Sequence, residues 1–271
     1  MASKVIAAAR STDDSRGRIC LMGIPLDNLA LAEAVDEIAQ AMEGDRPRRV
    51  CFVNADCVNL AHRHAEYRET VRTADLVFAD GIGMRLAGFV LRRPVRDNVN
   101  GTDLFPKLCE TLVGRGKRIF LLGARPGTAE RLAAWIADRY PGIVVAGCRD
   151  GYFPPVEEAD VLGQVRRSRS DLLLVAFGAP RQDVWIARHL PELGVKAAIG
   201  VGGLFDFFSG RIPRAPLWLR RLGMEWCYRL YQEPRRLGRR YLLGNPVFLA
   251  RLLRERIAGR NPKNDPNADG N

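Results

Sequence analysis

Short apolar runs bounded by turn residues alternate with helix-periodic stretches through the first 210 residues of the chain. Runs at 50–53, Leu76–Ala79, 118–122, 143–147, 172–177 and 196–201 are continuous rather than alternating, which is the pattern of parallel strands buried on both faces. A further strand is expected at 18–22. Between these runs apolar residues recur at helical spacing. Leu29, Ala32, Val35, Ile38, Ala39 and Met42 form one such face, with Asp27 expected as its N-cap. Helices are also expected over about 84–91, from a cap at Thr102 or Asp103 to 115, over 129–140 and 157–168, and from Gln182 to about 189. Strands and helices in this alternation predict an α/β, Rossmann-like, mainly parallel sheet with helices on both faces.

From Arg211 the pattern changes to short helices in which Trp, Tyr and Leu are interleaved with Arg. The expected organisation is a flexible leader at 1–17, an α/β core at 18–210, a basic amphipathic helical appendage at 211–260 and a disordered polar tail at 261–271. Charge sharpens this division. The net charge is +11, and the 211–260 block, with 13 Arg and 3 Glu, carries nearly all of it. Such a block suits nucleic acid, anionic lipid or a phosphorylated substrate. The alternative reading of its interleaved aromatic residues is a helical pair packed on the sheet with solvated arginines.

The six cysteines show no CxxC pair and no metal-ligand spacing with His62, His64 or His189, so reduced cytosolic thiols and no metal site are expected. No apolar run has the length of a secretory signal or of a membrane span. Gly200-Val201-Gly202-Gly203 lacks the third glycine of a dinucleotide fingerprint, and there is no Walker A loop, so neither NAD nor ATP is favoured.

The chemical centre is expected where the run Leu76–Ala79 ends in Asp80-Gly81-Ile82-Gly83. Ligands of open α/β sheets bind beyond the carboxyl ends of the strands, which would put Asp80 in a cleft; the competing reading is a helix cap. Asn54 ends its strand in the same way. Gly123, opening the turn to Thr128, precedes a helix N-terminus of the kind that binds phosphate. Tyr152, after the next strand, would stack on a base or serve as an ordinary turn aromatic.

Taken in order, these segments resemble the WecG/TagA/CpsF glycosyltransferases, glycosyltransferase family 26. The resemblance runs from about Ile19 to Phe248. It rests on Asn54, the stretch from Ala74 to Gly83, Gly101-Thr102-Asp103, Gly178-Ala179-Pro180-Arg181-Gln182 and Gly202-Gly203-Leu204-Phe205-Asp206. Beyond these come Arg214-Ala215-Pro216, Glu225-Trp226-Cys227-Tyr228-Arg229-Leu230, Glu233-Pro234-Arg235-Arg236 and Arg240-Tyr241.

The resemblance implies an inverting, metal-independent enzyme without cofactors. It would move a sugar from a UDP-sugar to a polyprenyl-diphosphate-linked sugar at the inner face of the cell membrane. Asp80 would be the general base, Asn54 and Gln182 would line the donor-sugar pocket, and Gly178 would belong to the same loop. Tyr152 would stack on uracil, Asp206 would bond the nucleoside, and Arg229, Arg236 and Arg239 would close over the diphosphate. A homo-oligomer and membrane contact through the appendage are further expectations, with no nucleic-acid partner. Phe52 and Asn98 depart from the family, which often has Thr and Arg there, and they leave the donor sugar open. The competing classes are a non-catalytic UDP-sugar binder and a basic nucleic-acid-binding protein.

Overall fold

The computed structural model describes residues 17–259. The expected leader, Gly17 apart, and the expected tail lie outside the described residues. The chain begins with an antiparallel hairpin, β1 (Arg18–Leu21) and β2 (Ile24–Asp27), separate from the main sheet. Asp27 is therefore not a helix cap. It is 3% exposed at the end of β2, where Arg18 Nε donates to its Oδ1 at 2.8 Å and the Val77 N–H donates to its Oδ2 at 2.8 Å. A buried carboxylate is tolerable with this pairing, and here it pins the hairpin to the core.

Helix α1 (Leu31–Ala41) follows, then β3 (Arg48–Val53), α2 (Ala55–Arg63), α3 (Ala65–Arg72), β4 (Leu76–Ala79) and α4 (Ile82–Val90). The middle of the chain supplies α5 (Gly101–Leu112), β5 (Arg118–Gly123), α6 (Thr128–Arg139), β6 (Val144–Arg149) and α7 (Glu158–Ser168). After β7 (Leu172–Ala176), α8 (Arg181–Leu193), β8 (Ala197–Gly200) and α9 (Leu204–Phe208), the arginine-rich region folds as four helices. These are α10 (Leu217–Arg221), α11 (Glu225–Gln232), α12 (Pro234–Gly238) and α13 (Gly244–Ala258). A π-helical turn, Arg239–Leu243, joins the last two.

Six strands, all parallel to their neighbours, form one sheet in the order β4-β3-β8-β7-β5-β6. Successive side chains of a strand point to opposite faces. On one face Leu76, Phe78, Leu121, Leu174 and Ile199 pack with residues of α1, α5, α6 and α9. On the other, Val53, Val77 and Ala79 meet α2, α3, α4 and α13, while Leu122, Leu173 and Val175 meet α7 and α8. Each fully buried large side chain contributes about 1.5–3 kcal/mol, so double-sided burial holds the strands in register. Because every pair is parallel, all six carboxyl ends emerge along one rim.

Candidate active site

A cleft of about 650 Å³ opens above that rim, walled by the strand ends on one side and by residues of α10 to α13 on the other. Its floor follows from register. Val53 pairs with Ala79, so the next residues, Asn54 and Asp80, lie side by side, and the Asp80 N–H donates to the Val53 carbonyl at 2.8 Å. Asn54 caps α2: its Oδ1 accepts from the N–H groups of Asp56 at 3.1 Å and Cys57 at 3.2 Å. Its side chain also lies close enough to the Asp80 carboxyl to favour the ionised form. Gly81, at φ +90°, makes the turn into α4 that an L side chain would strain. Its N–H donates to Asn98 Oδ1 at 2.5 Å.

Burial raises the Asp80 carboxyl above its ordinary range. The Asn54 side chain and the charges of Arg240 and Arg229 pull it down, and Glu225 pushes it up, but burial prevails. Five carboxylates line the cleft among the described residues. Asp56 is paired with Arg240 at 3.2 Å, Asp206 with Arg211 at 2.7 Å, Glu225 with Arg214 at 3.4 Å, and Glu233 with Arg236. Asp80 differs from these four in having the Asn54 side chain as the foremost neighbour favouring its ionised form.

Gln182, buried at the start of α8, uses one atom to tie two loops. Its Oε1 accepts from the Gly178 N–H at 3.0 Å and the Gly202 N–H at 2.9 Å. The loop after β7 and the loop after β8 are thereby fixed relative to each other, and both line the cleft. At the opposite end Tyr152 is 70% exposed, with its N–H bonded to Asp150 Oδ1 at 2.9 Å. Arg181 Cζ sits 4.6 Å from the Phe177 ring centroid, a cation–π arrangement that holds the guanidinium against the cleft wall. Arg229 Cζ lies 5.1 Å over Phe207.

Eight of the ten residues expected from sequence thus line one cavity: Asp80, Asn54, Gln182, Tyr152, Asp206, Gly178, Arg229 and Arg236. Gly123 and Arg239 are not among its lining residues. Gly123 serves close packing instead, since a Cβ there would fall 2.7 Å from the Ala176 backbone. Arg239 is exposed, and the adjacent Arg240 lines the cavity. Its pKa is raised despite burial, which acts the other way, because Tyr241, Asp56, Cys57 and Asp80 surround it.

Sequence reasoning gave no role to Arg125, Arg181, Arg211 and Arg220, which also line the cleft. For Arg125 and Arg181 the signal was position, two and three residues after the strand-end glycines Gly123 and Gly178. Helix α5 is capped by Asn100, whose Oδ1 accepts from the Asp103 N–H at 2.8 Å, and not by Thr102 or Asp103. Asp103 is a fastening point: Arg214 Nη2 lies 2.6 Å and Arg220 Nη1 3.8 Å from its carboxylate. Burial would raise its pKa, but hydrogen bonds from Asn100 and Arg214 leave it lowered.

A parallel α/β core that presents a strand-end carboxylate to a cleft lined by seven arginines suits group transfer from an anionic, phosphorylated donor. Comparison with known proteins narrows that class. The model of the glycosyl transferase WecG/TagA/CpsF family matches residues 19–262, and the chain belongs to this family; it is a glycosyltransferase. Among similar proteins is the N-acetylglucosaminyldiphosphoundecaprenol N-acetyl-beta-D-mannosaminyltransferase of Bacillus subtilis (strain 168), 32% identical over 76% of this chain and 79% of the relative. The Staphylococcus aureus (strain MRSA252) protein of the same name is 28% identical over 88% of this chain and 92% of its own length.

Proposed function

We propose that the chain is an inverting, metal-independent transferase that moves a sugar from a UDP-sugar to a sugar carried on a polyprenyl diphosphate. The observation that carries this reading is the placement of Asp80, beside Asn54, in one cleft with Arg229, Arg236 and Arg240. The acceptor hydroxyl oxygen attacks the anomeric carbon, the bond to the UDP oxygen breaks on the opposite side, and Asp80 takes the hydroxyl proton. A carboxyl raised by burial is a better proton acceptor than an ordinary one, provided that it is ionised when the acceptor arrives.

The departing diphosphate gathers negative charge, and the guanidinium groups stabilise it. The arginines are assigned the role a divalent cation would otherwise fill. Tyr152 and Arg181 provide flat surfaces for the uracil end, and the loops tied by Gln182 hold the donor sugar. The relatives' names supply the acceptor class: they act on N-acetylglucosaminyldiphosphoundecaprenol. With a lipid-borne acceptor the enzyme works at a membrane surface. No described helix is long and apolar enough to cross one. Exposed Trp218, Leu222 and Tyr231 among arginines give the appendage the character of an interfacial element.

The test is UDP release from a panel of UDP-sugars in EDTA, with and without a lipid-diphosphate-linked N-acetylglucosamine in detergent. Acceptor-dependent release from one donor is the expected result and names the sugar. Release that requires an added divalent cation, or none with any donor and acceptor, overturns the reading.

A further inference from the structure

Two helices from opposite ends of the sequence leave the cleft side by side, and each carries an exposed apolar row outward. Their course is fixed at both ends. At the cleft, a Cβ on Gly83 of α4 would lie 3.7 Å from the Phe248 ring of α13. At the far end both helices reach the β1–β2 hairpin: Arg93 Nη1, just past α4, donates to the Cys20 carbonyl at 2.7 Å, and the Met22 N–H donates to Glu255 Oε1 of α13 at 3.3 Å.

On α4, Ile82, Leu86 and Phe89 are all exposed, Phe89 to 80%, and their spacing puts them on one face. On α13, Leu249, Leu253 and Ile257 are exposed on successive turns. Arg251 of α13 is bonded to Asn59 of α2, so α2 occupies that flank. Leu249 and Leu253 are each two residues away, roughly 200° around the helix, and so face the other flank. Ile82, Leu86 and Leu249 also line the cleft, so both rows begin inside it. Each row extends about 10–12 Å from there.

We infer that the seam between α4 and α13 seats the hydrocarbon chain of an isoprenoid diphosphate whose charged end lies in the cleft. This inference rests on the acceptor class proposed above and deepens it. The complementarity is in sequence along one path. Seven arginines line the cleft, enough to meet an acceptor diphosphate besides the donor's, and the two apolar rows start in the same lining and run outward, as the hydrocarbon must. A flat bilayer contact would not call for rows that begin within the catalytic cleft. Ile82 packs against Gly223, and beyond it the rows are exposed apolar surface of the kind that marks a binding site.

The test uses the full-length protein in non-ionic detergent with an isoprenoid diphosphate that carries a diazirine on its hydrocarbon. After photolysis and digestion, mass spectrometry locates the label. The expected result is label on the peptides containing Leu86 to Phe89 and Leu249 to Ile257, competed by unlabelled isoprenoid diphosphate and not by an equal concentration of anionic phospholipid. Paired Phe89→Ser and Leu253→Ser substitutions should reduce labelling about tenfold with the circular dichroism melt retained, and Phe89→Leu with Leu253→Met should restore it.

Label confined to other segments overturns the seat, and so does equal competition by phospholipid, which would make the seam a bilayer contact. Acceptor-dependent sugar transfer is measured on the same preparation. Transfer without seam labelling removes the seat and spares the reaction; seam labelling without transfer removes the reaction and spares the seat.

Discussion

Replacing Asp183 with Asn should stabilise the protein, and by an amount that depends steeply on pH. Asp183 follows Gln182 on α8 and is 3% exposed, with its Oδ1 lacking a hydrogen-bond partner. Burial pushes its carboxyl up to about 7 from the ordinary 3.8, against the opposing effects of Cys51, its own backbone N–H, Arg49 and Gln182. The folded state therefore holds a proton that the unfolded chain releases. Stability from this proton is complete below the unfolded pKa and is lost as pH rises from about 4 towards 7.

A gap of about three units corresponds to about 4 kcal/mol once both states are ionised. Asn keeps the shape and carries no charge, so it escapes the penalty. The advantage of Asp183→Asn over the parent should grow by about 3 kcal/mol between about pH 4.5 and pH 8. Urea unfolding followed by circular dichroism at both pH values measures it, and subtracting the parent at each pH cancels the other titrating groups. An advantage that is the same at the two pH values would refute the argument, because it would mean that Asp183 has no raised pKa in the folded protein.

Three further outcomes follow from the site. Gly200→Ala would place a Cβ 2.6 Å from Asp183 Oδ1 and 2.7 Å from Gln182 Nε2; it should cost about 1–3 kcal/mol in urea unfolding and weaken UDP binding by calorimetry, and a variant within about 0.5 kcal/mol of the parent contradicts the packing. Asp80→Asn should cut transfer by about 10²–10⁴-fold with UDP affinity retained, and since the folded Asp80 carboxyl is raised, the parent's rate should climb with pH through a limb above the usual Asp range; a limb at or below that range contradicts it. Arg240→Gln removes a charge that lowers the Asp80 pKa, so the same limb should move to higher pH, while Arg235→Gln, exposed and outside the cleft lining, should leave it in place.

The parts of the fold and site that could be read from sequence are those set by local pattern. The runs ending in Asn54 and Asp80 are continuous and apolar because the strands are buried on both faces. Parallel pairing then puts both residues on one rim, and no distant contact had to be known. Glycines after strand ends marked the loops that line the cleft.

What escaped depends on partners far along the chain. Asp27 has the local look of a helix cap, but its partner Val77 is fifty residues away, and the short Pro-containing β2 carries no apolar run to announce it. Of Asn100, Thr102 and Asp103, each a competent cap, only the extended backbone of Asn100, at φ −95° and ψ 149°, selects one. Arg239 and Arg240 are consecutive on a π-helical turn, so they point in different directions, and a run of arginines does not say which of them faces the cleft. Gly123 carries a phosphate-turn signal, and in the fold it also packs against the Ala176 backbone, which local sequence does not show.

The appendage and the core share one electrostatic system. Asp80 belongs to the core, whereas the charges that restrain its pKa, Arg240 and Arg229, come from the arginine-rich helices, as does Glu225, which opposes them. Arg214 and Arg220 fasten that region to Asp103 at the head of α5. Without Arg229 and Arg240, the Asp80 carboxyl would keep its proton to higher pH. On the proposed reading, a diphosphate seated against the same arginines offsets their positive charge and so raises the proton affinity of Asp80. The carboxyl is thus the weaker base in the empty cleft and becomes a stronger one as the donor fills it. The leaving group adds to this effect, because the charge that develops on it as the bond breaks favours protonation of Asp80 at the moment the acceptor hydroxyl must lose its proton.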